Sequence, residues 1–314
     1  MNISILGCGQ FGIGLANCFL DKEENKIMMW NKFEDEIVDL SQKYLSISFT
    51  TDLEVAIKGT DLIVIAIPIN FLEETILSLK PFYHGQDILI GTKGIDEKRK
   101  MFAFEIVNNC LDDASIGVIS GGTFAQDMYD KKVMGLTLAT QNNLIINKVK
   151  TGMNSNFLKI QYSNDIIGVS ICGALKNIMA IGFGMLDGLG YPPSSKFLFL
   201  TEAIYEINNF IKFLGGTSYT IMSYAGIYDI MMTCTSSQSR NYTLGKLIGK
   251  KTSIDEIIKY KNEYTIEGLG TSKAIYELAI TKNITLPICF TIYKILYENS
   301  DIQELIYLLK KRES

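Results

Sequence analysis

Asn2-Ile3-Ser4-Ile5-Leu6-Gly7-Cys8-Gly9-Gln10-Phe11-Gly12 is the stretch on which the fold turns. A short β-branched run, Ile3–Leu6, ends in G-x-G-x-x-G, and a segment of helical period, Phe11–Leu20, follows. A strand that turns on glycine into a helix opens a βαβ dinucleotide-binding unit. In that reading Gly7 permits the tight turn, Gly9 lets a pyrophosphate approach the backbone, and Gly12 lets helix pack on strand. The phosphates would rest on free N–H groups at the positive end of the helix dipole. A plain glycine turn is the alternative, and the strand before and helix after argue against it.

The rest of the first half repeats the theme. Lys26–Trp30, Ser46–Phe49, Leu62–Ile67, Asp87–Thr92 and Ser115–Ile119 read as buried strands, separated by helical segments such as Phe71–Leu79 and Arg99–Leu111. Val133–Ala139 and Phe157–Tyr162 add further strands around a helix near Asn142–Thr151. Strands alternating with helices predict an α/β, doubly wound, mostly parallel sheet of Rossmann type. Beyond Asp165 strand signals nearly vanish. Ile166–Leu186, Ser195–Leu214, Ser253–Lys259, Ser272–Lys282 and Leu286–Glu298 read as helices, with loops at Gly215–Thr217 and Thr233–Ser239. Two domains follow: a dinucleotide-binding domain over 1–164, and an all-helical substrate-binding and catalytic domain over 165–314.

Composition narrows the chemistry. The 314 residues are 47% hydrophobic and 20% charged, enough for a core and against disorder. Thirty Lys+Arg against 34 Asp+Glu give a net charge of −4, without the basic excess of a nucleic-acid binder. His84 is the only histidine, which excludes a His-rich metal site and any mechanism that needs two imidazoles. Six scattered cysteines without a C-x-x-C pair read as free thiols in a reducing compartment. No basic leader or cleavage signal opens the chain, and the apolar run 166–186 is broken by Lys176 and Asn177. A cytoplasmic chain without membrane insertion is expected.

Lys176 is the most informative single residue. It is the only charged residue between Asp165 and Asp187. On a helix, Ile167, Ile171, Leu175, Ile178 and Met185 form an apolar stripe, and Gly173, Lys176 and Ala180 share a neighbouring face of small side chains. Withdrawing an ammonium from water makes lysine a usable acid or base near neutral pH. A snorkelling lysine is the alternative, and the dinucleotide motif beside it favours the catalytic reading.

Other candidates lie at strand ends. Lys93, in Gly91-Thr92-Lys93-Gly94, falls just past a strand's carboxyl end, the edge where open α/β sheets bind ligands. Ser120-Gly121-Gly122-Thr123-Phe124-Ala125 exposes backbone N–H groups at another such end. Cofactor choice is read about 20 residues beyond the glycine loop, where NAD-binding chains place an acid. Here Met29-Trp30-Asn31-Lys32 offers Lys32, which would face a 2′-phosphate and favours NADP or dual use over strict NAD. In the second half, Arg240 in Ser237-Gln238-Ser239-Arg240-Asn241 offers the two-pronged donor that suits a phosphate.

These motifs together resemble the bacterial NAD(P)-dependent sn-glycerol-3-phosphate dehydrogenase family over almost the full length. The resemblance is carried by Gly7–Gly12, Thr92-Lys93-Gly94, Ser120–Ala125, Cys172–Asn177 with Asp187–Gly190, Thr233–Asn241 and Ile266-Glu267-Gly268, in that order. It implies a Rossmann-type domain followed by a helical one, NAD or NADP as cofactor, no metal, and dihydroxyacetone phosphate or glycerol 3-phosphate as the small-molecule substrate. It also implies supply of glycerol 3-phosphate for phospholipid synthesis, and it is compatible with a homodimer.

The resemblance further implies roles for single residues. Lys176 looks like the proton donor and acceptor, and Lys93 like the second lysine at the substrate. Gly121, Thr123, Asp229, Ser239, Arg240 and Asn241 match substrate-binding positions. Gln10, Phe11, Lys32, Lys93, Ala125, Arg240, Ile266 and Glu267 join Gly7, Gly9 and Gly12 as cofactor positions. Gly122 stands where the family usually has proline, and Tyr191-Pro192-Pro193 is unusual after Asp187–Gly190. Activity on a different 2-keto or 2-hydroxy substrate, or a nucleotide-binding sensor or structural protein that kept the fold and lost catalysis, are the rival functions.

Overall fold

The computed structural model describes residues 1–153 and 155–310, the side chain of Ala125 excepted. Its chain divides into two compact units, Met1–Lys93 with Phe102–Ser170, and Gly94–Met101 with Ile171–Ser314.

The first unit is built on eight strands: β1 Asn2–Leu6, β2 Lys26–Trp30, β3 Ile47–Thr50, β4 Leu62–Ile65, β5 Asp87–Ile90, β6 Ile116–Ser120, β7 Met134–Ala139 and β8 Leu158–Ser163. They form one sheet in the order β3-β2-β1-β4-β5-β6-β7-β8. All neighbours pair in parallel except β6 and β7. The predicted doubly wound, mostly parallel sheet is therefore present. Its central strands read as continuous apolar runs because helices cover both faces: Leu62, Ile63, Val64 and Ile65 are all fully buried.

The β6–β7 connection, residues 121–133, carries only the five-residue helix Ala125–Tyr129, and β7 returns antiparallel beside β6. Strand order reverses direction between β1 and β4. Open α/β sheets bind ligands at such a switch point, beyond the strands' carboxyl ends, and the glycine loop after β1 sits there.

The second unit is helical. Asp165 accepts the Gly168 N–H through its carboxylate at 2.8 Å and starts the helix Ile166–Gly188. Among the described residues this is the one helix long and apolar enough to cross a membrane, and 83% of its most apolar window is buried inside the fold. Pro192 and Pro193 sit at the N-cap and first position of the next helix, Pro193–Phe213. There a missing N–H costs nothing, which accounts for the unusual Tyr191-Pro192-Pro193 stretch. Small residues bring two helices into backbone contact. A Cβ on Gly184 would collide with the Tyr242 carbonyl, and one on Gly245 with the Ile181 carbonyl, so Ile166–Gly188 and Arg240–Gly249 pack closely. That approach sets Asn241 beside Asn177.

Two local expectations are revised. The helix expected at Arg99–Leu111 begins at Ala103, because residues 94–101 form a loop in which the Asp96 carboxylate takes the Lys98 and Arg99 N–H groups. The stretch Thr233–Ser239, read as loop from its Ser and Thr content, is helical through Thr235. There the Thr233 and Thr235 hydroxyls donate to carbonyls four residues back rather than ending the helix. The helices Glu34–Lys43 and Arg240–Gly249 also join the set.

Candidate functional site

In the first unit, β1 delivers the glycine loop. Gly7 has φ +111°, a left-handed conformation, and a Cβ there would lie 2.5 Å from the Ala66 carbonyl oxygen. A Cβ on Gly12 would overlap the Gly7 carbonyl. Both are glycine for reasons internal to the fold. Gly9 is different: φ is −66° and a Cβ would meet nothing within 4 Å. No contact within the chain requires glycine at this position, so the open space above it is a cradle that a side chain would fill.

The helix Gln10–Leu20 starts at Gly9 without a side-chain cap. Its first backbone bond runs from Ile13 N–H to the Gly9 carbonyl, which leaves the amides of Gln10, Phe11 and Gly12 ahead of the ladder, facing that space. This donor set fits the pyrophosphate of a dinucleotide. Burial, aided by the charge of Glu36, pushes the Cys8 thiol up to about 12. Cys8 is therefore a neutral group in the loop, not a thiolate.

Lys93 stands at the carboxyl end of the sheet after β5. Thr92 donates its hydroxyl to the Ile67 carbonyl at 2.8 Å, fixing the turn before it. The Lys93 Nζ donates to the Gly121 carbonyl at 3.2 Å and lies 5.3 Å from the centre of the Phe11 ring. Three elements predicted separately, the glycine loop, the Lys93 loop and the Gly121 loop, thus meet at one place. Gly121 is packed tightly, since a Cβ would lie 2.9 Å from the Leu136 Cα. The Thr123 Oγ1 is buried without a hydrogen-bond partner, a vacant polar contact at the same loop. Ala125 begins the helix Ala125–Tyr129, and its side chain lies outside the described residues.

Lys32 lies past the end of β2, where it is exposed and paired with Glu74 at 2.9 Å. Asn31 is held alongside: its amide donates to Glu36 at 2.6 Å and its carbonyl takes the Lys32 N–H at 3.0 Å.

In the second unit, Lys176 is 8% exposed and donates from Nζ to Asp229 Oδ1 at 2.5 Å. Asp229 is fully buried. Thr233, one turn on, donates its hydroxyl to the Asp229 carbonyl at 2.6 Å and approaches Oδ1 at 3.1 Å. Burial pushes the neighbouring Cys234 thiol up, opposed by the Lys176 charge and reinforced by Asp229. A second chain of bonds starts next door. Asn241 Nδ2 donates to Asn177 Oδ1 at 3.0 Å, Asn177 Nδ2 donates to Glu267 at 2.9 Å, and the Gly268 N–H returns to Asn241 Oδ1 at 2.9 Å. Asn241, Ile266 and Glu267 are thereby brought together.

Ser239 takes a structural position as well. Its hydroxyl caps the helix Arg240–Gly249 by accepting the Tyr242 N–H at 3.2 Å. Arg240 is exposed at the first position of that helix, and its guanidinium has no hydrogen-bond or ion-pair partner among the described residues.

Asn177 and Thr233 join these two bond networks, although the sequence reading gave neither a role. Asn177 had a signal in its place directly after Lys176. Thr233 lay within the Thr233–Asn241 motif, but the helix that carries it was read as a loop, which hid its place one turn from Asp229. No group of three or more His, Cys, Asp or Glu side chains suited to a metal occurs among the described residues.

A doubly wound sheet with a glycine loop at its switch point, and a buried lysine on a following helical unit, define an NAD(P)-dependent oxidoreductase. Residues 2–145 match the N-terminal part of NAD-dependent glycerol-3-phosphate dehydrogenase, and residues 165–307 match its C-terminal part. The chain belongs to this family. A glycerol-3-phosphate dehydrogenase [NAD(P)+] of Staphylococcus aureus is 30% identical over 99% of this chain and 98% of its own. The crystal structure of glycerol-3-phosphate dehydrogenase from Coxiella burnetii is 28% identical, with a TM-score of 0.91 over 99% of both chains. That from Plasmodium falciparum is 25% identical, with a TM-score of 0.89 over all of this chain and 96% of its own.

Proposed function

We propose that this chain interconverts dihydroxyacetone phosphate and sn-glycerol 3-phosphate with NAD(P), using Lys176 as the general acid and base. The observation that carries the reading is the Lys176–Asp229 pair, a buried cation aligned by a fully buried carboxylate in a chain with one histidine. In this reading residues 1–164 serve the dinucleotide and 165–314 the substrate and the chemistry.

The dinucleotide would lie on Gly7, Gly9, Gln10, Phe11 and Gly12, with Lys32, Lys93, Ala125, Arg240, Ile266 and Glu267 as further contacts. When bound, it supplies a hydride to C2 of the ketone or takes one back. Lys176 gives a proton to the oxygen that becomes an alkoxide as C2 is reduced, and removes it in the reverse direction. Asp229 holds the ammonium in register, and Thr233 holds Asp229. Lys93 stabilises the same developing oxyanion as a fixed cation, which adds little reorganisation cost at the moment of reaction.

Arg240 and Asn241 take the substrate phosphate, with Ser239, Gly121 and Thr123 completing the contacts. The unpartnered guanidinium of Arg240 suits this role, since an arginine fork matches a phosphate with two parallel bonds. Fixing the phosphate places C2, and positioning of this kind accounts for a large share of catalysis. A cytoplasmic setting, a homodimer, and supply of glycerol 3-phosphate for phospholipid synthesis belong to the same reading. The test is oxidation of NADH and NADPH with dihydroxyacetone phosphate against a panel of unphosphorylated keto compounds. Turnover that is specific for the phosphorylated ketone, with a KM for it that rises in Arg240→Gln, supports the proposal.

A further inference from the structure

We propose that Glu74 is a specificity-determining residue that turns cofactor choice toward NADH by occupying Lys32. The inference rests on the dinucleotide reading of the glycine loop. Strand register places the parts. Leu6 of β1 pairs with Trp30 of β2 on one side and with Ile65 of β4 on the other. The residues just past these strands, Gly7, Asn31 and Ala66, therefore share one edge, and the Gly7 N–H donates to the Trp30 carbonyl at 2.9 Å.

The helix Leu72–Leu79 follows β4 and carries Glu74 in its first turn. Its carboxylate reaches back across the edge to the Lys32 Nζ at 2.9 Å. In a doubly wound fold this edge of the second strand is where the adenosine ribose is read.

A 2′-phosphate is a monoester carrying nearly two negative charges. To bind at Lys32 it must displace Glu74 and then share the site with that carboxylate. A 2′-hydroxyl carries no charge and meets neither demand. Both side chains are more than half exposed, so the pair itself is weak and Lys32 can be drawn away. Repulsion between two anions persists after the lysine has moved. Glu74 thus acts mainly against NADPH, not for the fold. Asn31 is uncharged and adds no compensating cation, and its amide is held by the Glu36 carboxylate.

The test is direct binding rather than turnover. Trp30 is the only tryptophan in the chain and sits at this edge, 7% exposed. Energy transfer from Trp30 to bound NADH or NADPH reports affinity for each in the unaltered protein, Glu74→Gln and Lys32→Gln. Glu74→Gln should tighten NADPH about 3- to 10-fold, as expected for one screened carboxylate facing a doubly charged group, and leave NADH within about twofold. That gain should shrink in high salt. Lys32→Gln should weaken NADPH more than NADH.

An NADPH-to-NADH ratio unchanged by Glu74→Gln overturns the proposal, as does an equal shift for both dinucleotides. Failure of the unaltered protein to bind either dinucleotide overturns it together with the reading of the glycine loop. A ratio that shifts in a protein inactive on dihydroxyacetone phosphate supports the role of Glu74 and overturns only the substrate assignment.

Discussion

Lys176 and Asp229, 53 positions apart in the chain, meet at 2.5 Å with Asp229 fully enclosed. Two opposite charges buried together are stable only as a pair. Removing one partner leaves an uncompensated charge, at a cost of about 3–5 kcal/mol. Asp229→Ala should therefore lower the melting temperature markedly. Asp229→Asn keeps a hydrogen-bonding oxygen and should fold better, yet its turnover should still fall because the ammonium loses its aligning charge. Thermal unfolding and kcat on the two variants separate these effects. Equal kcat in Asp229→Asn and the unaltered protein would remove Asp229 from the mechanism.

The two glycines of the turn predict opposite behaviour. Gly7→Ala puts a Cβ on a left-handed residue against the Ala66 carbonyl and should destabilise the fold by about 1–3 kcal/mol. Gly9→Ala meets no atom and needs no unusual φ. The loss of a glycine N-cap and the gain from a stiffer unfolded chain should offset each other to within about 1 kcal/mol. Dinucleotide affinity should nonetheless drop about 10- to 100-fold in Gly9→Ala, or about 1.4–2.8 kcal/mol. Melting curves beside dinucleotide titrations check both. A Gly9→Ala protein that binds normally would show that the open space is not the cofactor's.

Arg240 offers a third check. With no partner for its guanidinium among the described residues, Arg240→Gln should leave folding unchanged. Loss of a charge-assisted phosphate contact is worth about 1.5–3 kcal/mol, so KM for dihydroxyacetone phosphate should rise about 10- to 100-fold. Lysine should restore little, because a point charge lacks the planar fork. Inorganic phosphate should compete with substrate in the unaltered protein and much less in the variant. An unchanged KM would reassign the phosphate to other residues.

Asp187 predicts how stability depends on pH. Burial pushes its carboxyl up, but hydrogen bonds from Lys196, Lys246 and Tyr242, with the Lys196 charge, outweigh that and hold it far below the usual carboxylate range. A carboxyl lowered on folding adds stability that is present above its unfolded value near 4 and is lost as pH falls toward its folded value. The Lys196 and Lys246 contacts, at 2.5 and 2.8 Å, should therefore weaken in acid. Asp187→Asn should lower the melting temperature at neutral pH and narrow its gap to the unaltered protein below about pH 4. A gap independent of pH would count against the ion-pair account.

Much of this was legible in the sequence, and the limits have physical causes. The turn Gly7–Gly12 and the buried β-branched runs declare themselves locally, through backbone freedom and continuous apolarity. Lys176 was legible because it is the only charged residue between Asp165 and Asp187, a stretch that forms nearly all of one helix. Asp229 was reached through the family resemblance, since its neighbours Thr233–Thr235 read as loop although their hydroxyls bond back along a helix. The antiparallel setting of β7 was not legible, because a buried apolar strand reads alike in either direction. Lys32 looked like a free cation. Its partner Glu74 lies 42 positions away and meets it only through strand order.

The central claim, that Lys176 is the general acid and base of a phosphorylated-ketone reductase, is tested most directly by one measurement. Dihydroxyacetone phosphate-dependent oxidation of NADH and NADPH should be followed in the unaltered protein and in Lys176→Ala, with dinucleotide binding measured on the same samples. Loss of acid and base catalysis should lower turnover about 10²–10⁴-fold while dinucleotide affinity stays nearly unchanged. Turnover in Lys176→Ala equal to that of the unaltered protein would contradict the account.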